Sequence, residues 1–91
     1  MRFEWDPEKA ASNLAKHGVS FEEAISVFGD RLATTVPDPD HSFDEERELT
    51  TGLSSQNRLV MVLHTNREEA IRIFGARLAR PNERRTYESG Q

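Results

Sequence analysis

Between Arg58 and Tyr87 the chain carries seven arginines and no lysine: Arg58, Arg67, Arg72, Arg77, Arg80, Arg84 and Arg85. A guanidinium is always charged, and its planar fork fits two phosphate oxygens at once. Such an array is a candidate phosphate platform, or a set of solvated edge charges paired with nearby glutamates. Arg72 is the sharpest of the set. It interrupts the apolar run Ala70-Ile71-Arg72-Ile73-Phe74, where a charge needs a partner or an open site. Arg77 ends the same run, and Gly75 between them permits a bulge that would turn both arginines to one face. His64 ends the preceding apolar run. Its ring could serve as acid or base near neutral pH, or as a satisfied strand-end side chain.

Other constellations read as structure first. His17 precedes Gly18 at a predicted helix C-terminus, where a positive partial charge suits the dipole. Asp38-Pro39-Asp40-His41 has the oxygen ligands a hard cation favours, but lacks the glycine and downstream glutamate of a calcium loop. An Asx-turn is the better reading. No Ser–His–Asp spacing and no glycine-rich phosphate loop is present. The absence of cysteine excludes disulfides, thiolate metal sites and a cysteine nucleophile.

The elements that must position these residues follow from periodicity and punctuation. Asp6 and Pro7 suit the N-cap and first position of a helix over Pro7–Lys16, with Ala10, Ala11, Leu14 and His17 on one face and Gly18 closing it. A second helix begins at Val19-Ser20-Phe21 and ends at Gly29-Asp30. Ser20 and Glu23 fit a capping box in which each side chain satisfies the other's backbone N–H, and Phe21, Ala24, Ile25 and Phe28 form the apolar face. Arg31–Pro37 reads as an edge strand ended by proline, Pro37–Asp44 as a loop, and Glu46–Leu53 as a second strand. Ser54–Asn57 turns into a third strand, Arg58–Thr65, and Asn66–Glu69 turns into a fourth, Ala70–Ala76. A short basic helix follows Pro81. The expected fold is α+β: two helices, a four-stranded antiparallel sheet and a C-terminal helix. Both parities of Arg58–Thr65 are apolar, so that strand is expected to be central. Leu14, Phe28, Leu59, Met61, Leu63, Ile71 and Ile73 are the expected core.

Ninety-one residues suit one domain with a modest core. No apolar run approaches a membrane span, and Met-Arg-Phe-Glu-Trp-Asp lacks the apolar stretch of a secretory signal, so a cytoplasmic protein is expected. The net charge of −4 hides an asymmetry. Residues 1–56 set five cations against twelve carboxylates, a charge of −7, while residues 57–91 set seven arginines against four carboxylates, a charge of +3. A polyanion or acidic partner suits the basic part, a basic partner suits the acidic part, and pairing of one part with the other would serve as well.

In order along the chain, several stretches resemble the BrnT-type toxins of bacterial toxin–antitoxin systems. Phe3-Glu4-Trp5-Asp6 through Asn13, Lys16-His17-Gly18 and Ser20-Phe21-Glu22-Glu23-Ala24 are similar to that family's opening signature. Asp38-Pro39-Asp40-His41-Ser42 with Glu45-Glu46-Arg47 is similar to its central one. Thr65-x-Arg67, Arg72-Ile73, Ala76-Arg77 and Glu83-Arg84-Arg85-x-Tyr87-Glu88 are similar to its closing one. The chain departs from the family at two positions: Glu68 stands where glycine is usual, and Arg80 where Ser or Thr usually opens the last helix.

The resemblance implies a RelE-like fold and a ribonuclease that uses no metal or other cofactor. It also implies a cognate ribbon-helix-helix antitoxin that forms an oligomer with the toxin and alone contacts operator DNA. RNA carries its own nucleophile, the 2′-hydroxyl. Arg67, Arg72 and Arg77 are the candidates to stabilise charge on the phosphate. His64 or Glu69 is the candidate base, and Tyr87 a candidate for proton transfer or base stacking. Lys9, Lys16, Arg84 and Arg85 are candidates to steer the RNA backbone. The rival reading is a non-catalytic module, such as a corepressor subunit that only engages a DNA-binding partner. Direct DNA binding is disfavoured by net charge and by the lack of a recognition helix.

Overall fold

The computed structural model describes residues 2–38, 40 and 46–90. Its elements are β1 (Arg2–Glu4), α1 (Pro7–His17), α2 (Phe21–Ser26) running into a 3-10 turn (Val27–Gly29), β2 (Thr34–Pro37), β3 (Glu48–Leu53), β4 (Leu59–Arg67), β5 (Ala70–Leu78) and α3 (Pro81–Ser89). The strands form one sheet in the order β1-β5-β4-β3-β2. β2 to β5 are antiparallel neighbours, as expected, and β4 is central. β1 adds a fifth strand, parallel to β5, with Phe3 opposite Ile71. Three residues are too short to show a strand period. The strand forms because the outer edge of β5 has open backbone groups and Phe3 packs on Phe28, their ring centres 5.4 Å apart.

One sheet face and the helices enclose the core. Val60, Val62, Ile71, Ile73 and Ala76 meet Val19, Phe21, Ala24 and Val27, with Phe3, Trp5, Ala10 and Phe28 packed around them. Of the residues expected inside, Leu59, Met61, Ile71 and Ile73 are buried, and Leu63 and Phe28 are half-buried. Leu14 is the exception, at 51% exposed. α1 meets the sheet through Ala10, as expected, and through Asn13 in place of Leu14.

The cause lies at the edge of β5. β1 covers that edge only from Ala70 to Arg72, which leaves the outward-facing backbone groups of Ala76 without a strand partner on that side. The Asn13 carboxamide takes the strand's place. Its Nδ2 donates to the Ala76 carbonyl at 2.8 Å, and its Oδ1 accepts from the Ala76 N–H at 3.1 Å. The same Nδ2 donates to the Val19 carbonyl at 3.0 Å and so fixes the link between α1 and α2. A buried backbone pair left open would cost more than an apolar contact gains, so Asn13 points in and Leu14 points out.

The caps follow the sequence. Asp6 accepts from the Glu8 N–H at 2.9 Å, and Gly18 ends α1 at φ +70°. Ser20 Oγ accepts from the Glu23 N–H at 3.0 Å. The return half of that capping box does not form. The Glu23 carboxylate turns inward instead, accepting from Ser54 Oγ at 2.7 Å and from the Arg58 guanidinium. Arg58 holds this buried carboxyl below its usual range against the opposing effect of burial, with Ser54 assisting. Arg58 also donates to the Gly18 carbonyl, tying the start of β4 to the end of α1.

Candidate functional site

The β4–β5 pairing carries a bulge. Leu63 lies opposite Gly75 and His64 opposite Ile73, so Phe74 is an extra residue. Two residues five apart on a regular strand face opposite sides. The extra residue reverses this: Arg72 lies opposite Thr65 and Arg77 opposite Met61, both on the same face of β4. Arg67 shares that face by alternation. It is the face turned away from the helix-packed core.

The arginines differ in their partners. Arg72 is half-buried and, among the described residues, its side chain has no hydrogen bond or ion pair. Arg77 makes a two-pronged pair with Glu83, Nη1 to Oε1 at 2.8 Å and Nη2 to Oε2 at 2.7 Å. That pair holds the Glu83 carboxyl below its usual range. Arg67, at the tip of the hairpin, lies 3.7 Å from Glu4.

A cleft of about 410 Å³ opens on the arginine face. Leu49, Met61, Leu63 and Gly75 form its floor. Asn13 and His17 bring one wall from the end of α1, Asp38 and Asp40 a second from the loop after β2, and Arg77, Arg80 and Glu83 a third from the β5–α3 junction. The loop is closed at its base by the Asp38 N–H on the Arg47 carbonyl at 2.8 Å. Asp38 Oδ1 accepts from the Asp40 N–H at 3.2 Å, which is the Asx-turn expected from the sequence. Among the described residues no three His, Asp or Glu side chains converge as a metal would require. His41, with Pro39, Ser42 and Glu45 of the central signature, lies outside the described residues.

His64 lies on the opposite face of the sheet. It is 2% exposed, with the edge of Phe28 against its ring at 4.9 Å between centres. Its Nε2 pairs with Thr50 Oγ1 at 2.7 Å, and Thr50 pairs with Thr35 at 2.7 Å. Nδ1 has no partner. Burial pushes the His64 pKa below its usual value, against the pull of Glu48. The structure therefore separates His64 from the arginines it was expected to serve. Glu69 sits exposed at the hairpin turn, its carbonyl accepting from the Arg2 N–H at 3.3 Å. Tyr87 donates its hydroxyl to Asp30 Oδ2 at 2.6 Å, which raises the phenol's pKa. Asp30, held below its usual range chiefly by the Leu53 N–H, is fixed as an acceptor there. Lys9 and Lys16 line a hollow beside His17, whereas Arg84 and Arg85 are exposed on α3.

A family model described as the ribonuclease toxin, BrnT, of type II toxin–antitoxin systems matches residues 5–83. The chain belongs to the BrnT family. The crystal structure of the Brucella abortus ribonuclease toxin BrnT is similar to it, with a TM-score of 0.64 and 26% identity over 88% of this chain and 97% of that one. None of the curated proteins compared is similar enough to count as a relative. No helix among the described residues is long and apolar enough to cross a membrane.

The three stretches that resemble the BrnT signatures meet at the cleft: His17 from the opening one, Asp38 and Asp40 from the central one, Arg77 and Glu83 from the closing one. Of the residues given a catalytic or RNA-binding role from the sequence, only Arg77 lines it, joined by Arg80 from the arginine array. The sequence alone assigns His17 to capping, the aspartates to a turn, Arg80 to the arginine array and Asn13 to the opening signature, none of them with a catalytic role. Their place within separate signatures was the available signal. Both departures from the family pattern have local consequences. Glu68 adopts φ +28°, a conformation glycine takes more readily. At α3, Glu83 Oε1 accepts from the Arg80 N–H at 2.8 Å, but an arginine side chain has no acceptor to return the bond. The box is half-formed, and Pro81 at the first helical position supports it.

Proposed function

We propose that the cleft cleaves single-stranded RNA by attack of its own 2′-hydroxyl on the adjacent phosphorus. The carrying observation is the convergence of His17, Asp38, Asp40, Arg77 and Arg80 on one cleft, on the sheet face that also bears Arg72. A base removes the 2′ proton, the oxygen bonds to phosphorus, the bond to the 5′-oxygen breaks and an acid protonates that oxygen. The products are a 2′,3′-cyclic phosphate and a 5′-hydroxyl. His17 replaces His64 as the proton-transfer residue, because it stands exposed at the cleft wall while His64 is sealed behind the sheet. Asp38 and Asp40 are the carboxylates beside it. Arg72 and Arg77 supply fixed positive charge for the phosphate, with Glu83 holding the Arg77 fork in place. Arg80 makes no side-chain hydrogen bond or ion pair among the described residues and is available to a second phosphate.

A toxin of a type II system implies an antitoxin partner. We assign that partner to the ribbon-helix-helix class and place it over the arginine face, where a short segment that folds on binding would block the cleft. The test uses purified protein and an RNA with a single 2′-deoxy nucleotide at the cut site. Loss of that cut with the others retained, cyclic phosphate ends, and a His17→Ala variant that folds but does not cleave are the expected results. Cleavage of the 2′-deoxy site, or full activity of His17→Ala, overturns the mechanism. Growth arrest on expression alone, relieved by co-expression of the antitoxin, separates the enzyme from a corepressor subunit.

A further inference from the structure

Phe74 is an aromatic residue without a place in the core. It is the extra residue of the β-bulge, half-buried, and not among the hydrophobic residues packed on the core cluster. Its neighbours are cations. The Arg47 guanidinium carbon lies 3.9 Å from the ring centre and the Lys9 ammonium 5.6 Å from it. A hollow of about 390 Å³ opens on the Lys9 side, lined by Lys9, Ser12, Lys16, His17 and Phe74 together with Asp6 and Glu8. Arg47 does not line it. Asn13 and His17 line both this hollow and the cleft, so the two adjoin.

An aromatic face beside lysines is the arrangement by which proteins hold unpaired nucleotides: the base stacks on the ring and the backbone tracks the cations. Extruded bases are available in single-stranded RNA and not in a duplex. The hollow lies within the range of small-ligand sites, which begin near 300 Å³. Asp6 and Glu8 at its rim oppose a phosphate there, which leaves Lys9 and Lys16 as the backbone contacts and the ring as the base contact. We propose that the hollow is a nucleobase subsite, in which Phe74 stacks the base of a nucleotide next to the one cut in the cleft. The subsite rests on the ribonuclease reading, and it makes Phe74 a specificity-determining residue that favours purines for their larger stacking surface.

The experiment measures binding of a short single-stranded RNA with 2′-O-methyl riboses, which cannot be cut, by fluorescence anisotropy at fixed salt. Phe74→Leu keeps apolar volume at the bulge but removes the aromatic face, and Phe74→Trp enlarges that face. Stacking on one aromatic side chain corresponds to about a 5- to 150-fold change in affinity. Phe74→Leu should weaken binding within that range at an unchanged melting temperature, and Phe74→Trp should match or exceed the parent. An abasic nucleotide moved along the RNA should weaken the parent at one position and leave Phe74→Leu unaffected there. Equal affinity of the parent and a folded Phe74→Leu, or equal abasic profiles, overturns the subsite. Absence of cleavage by the parent on unmodified RNA defeats the ribonuclease reading instead, whatever the anisotropy shows.

Discussion

Asn13→Ala tests the account of how α1 is held. The side chain makes three hydrogen bonds: two with the backbone of Ala76, which is 3% exposed, and one with the Val19 carbonyl. At about 1 kcal/mol net each, their loss costs about 3 kcal/mol. Stranding the Ala76 N–H and carbonyl adds to this, and water entering from the adjoining cleft subtracts, so about 2–4 kcal/mol is expected. For a domain of this size that is a fall in melting temperature of roughly 10–25 °C. The control is Leu14→Ala, one residue on, which removes an exposed side chain and should change stability by less than about 0.5 kcal/mol. Urea unfolding of both variants gives the free energies, and hydrogen exchange of the Ala76 amide reports the local opening. A loss below about 0.5 kcal/mol for Asn13→Ala, or a larger loss for Leu14→Ala, would refute the strand-substitute argument.

Four further outcomes are expected. Arg72→Ala should lower RNA cleavage by about 100- to 1000-fold while melting stays near the parent, since no carboxylate among the described residues is stranded by its loss; a large melting loss would place Arg72 in the scaffold instead. Glu68→Gly should raise stability by about 0.5 kcal/mol, the left-handed cost of about 1–2 kcal/mol less the entropy of glycine, and a destabilised variant would contradict this. His64 is kept neutral by burial, so its folded pKa lies below its unfolded value. Its contribution is complete above about pH 6.5 and is lost as pH falls through the folded pKa, and urea midpoints measured from pH 8 to pH 5 should slope accordingly. His64→Gln should flatten that slope; an unchanged slope would assign it to other groups. Glu23, Asp30 and Glu83 are likewise depressed, so a second loss should begin only below about pH 4.5.

Local signals in the sequence located most of the elements. Asp6-Pro7 and Gly18 bound α1, Ser20 starts α2, Pro37 ends β2, and Gly75 marks the bulge that sets Arg72 and Arg77 on one face. The misreadings share one cause: each depended on a partner far along the chain. Leu14 was placed inside because α1's register is decided by Ala76, sixty-three residues beyond Asn13. Glu23 was assigned to its own helix N-terminus, although Arg58, thirty-five residues on, offers a charged partner in the interior. His64 stays open in the sequence between acid–base work and a satisfied strand-end side chain, because an apolar run does not reveal that Phe28 will close over it. The cleft was hidden for the same reason. His17, Asp38 and Arg77 each have an ordinary local explanation, and only the fold makes them neighbours.

α3 has nine residues, none of them buried, and only Glu83 and Tyr87, one turn apart, are even half-covered. Each is fastened by polar atoms, Glu83 to Arg77 and Tyr87 to Asp30. The helix is therefore clipped onto the sheet at two points and contributes no apolar mass to the interior. Its other seven positions are exposed, so substitutions there leave the packing of the core unchanged. The surface of α3 can therefore change in charge and shape while the fold beneath it stays as it is, provided the two clips are kept.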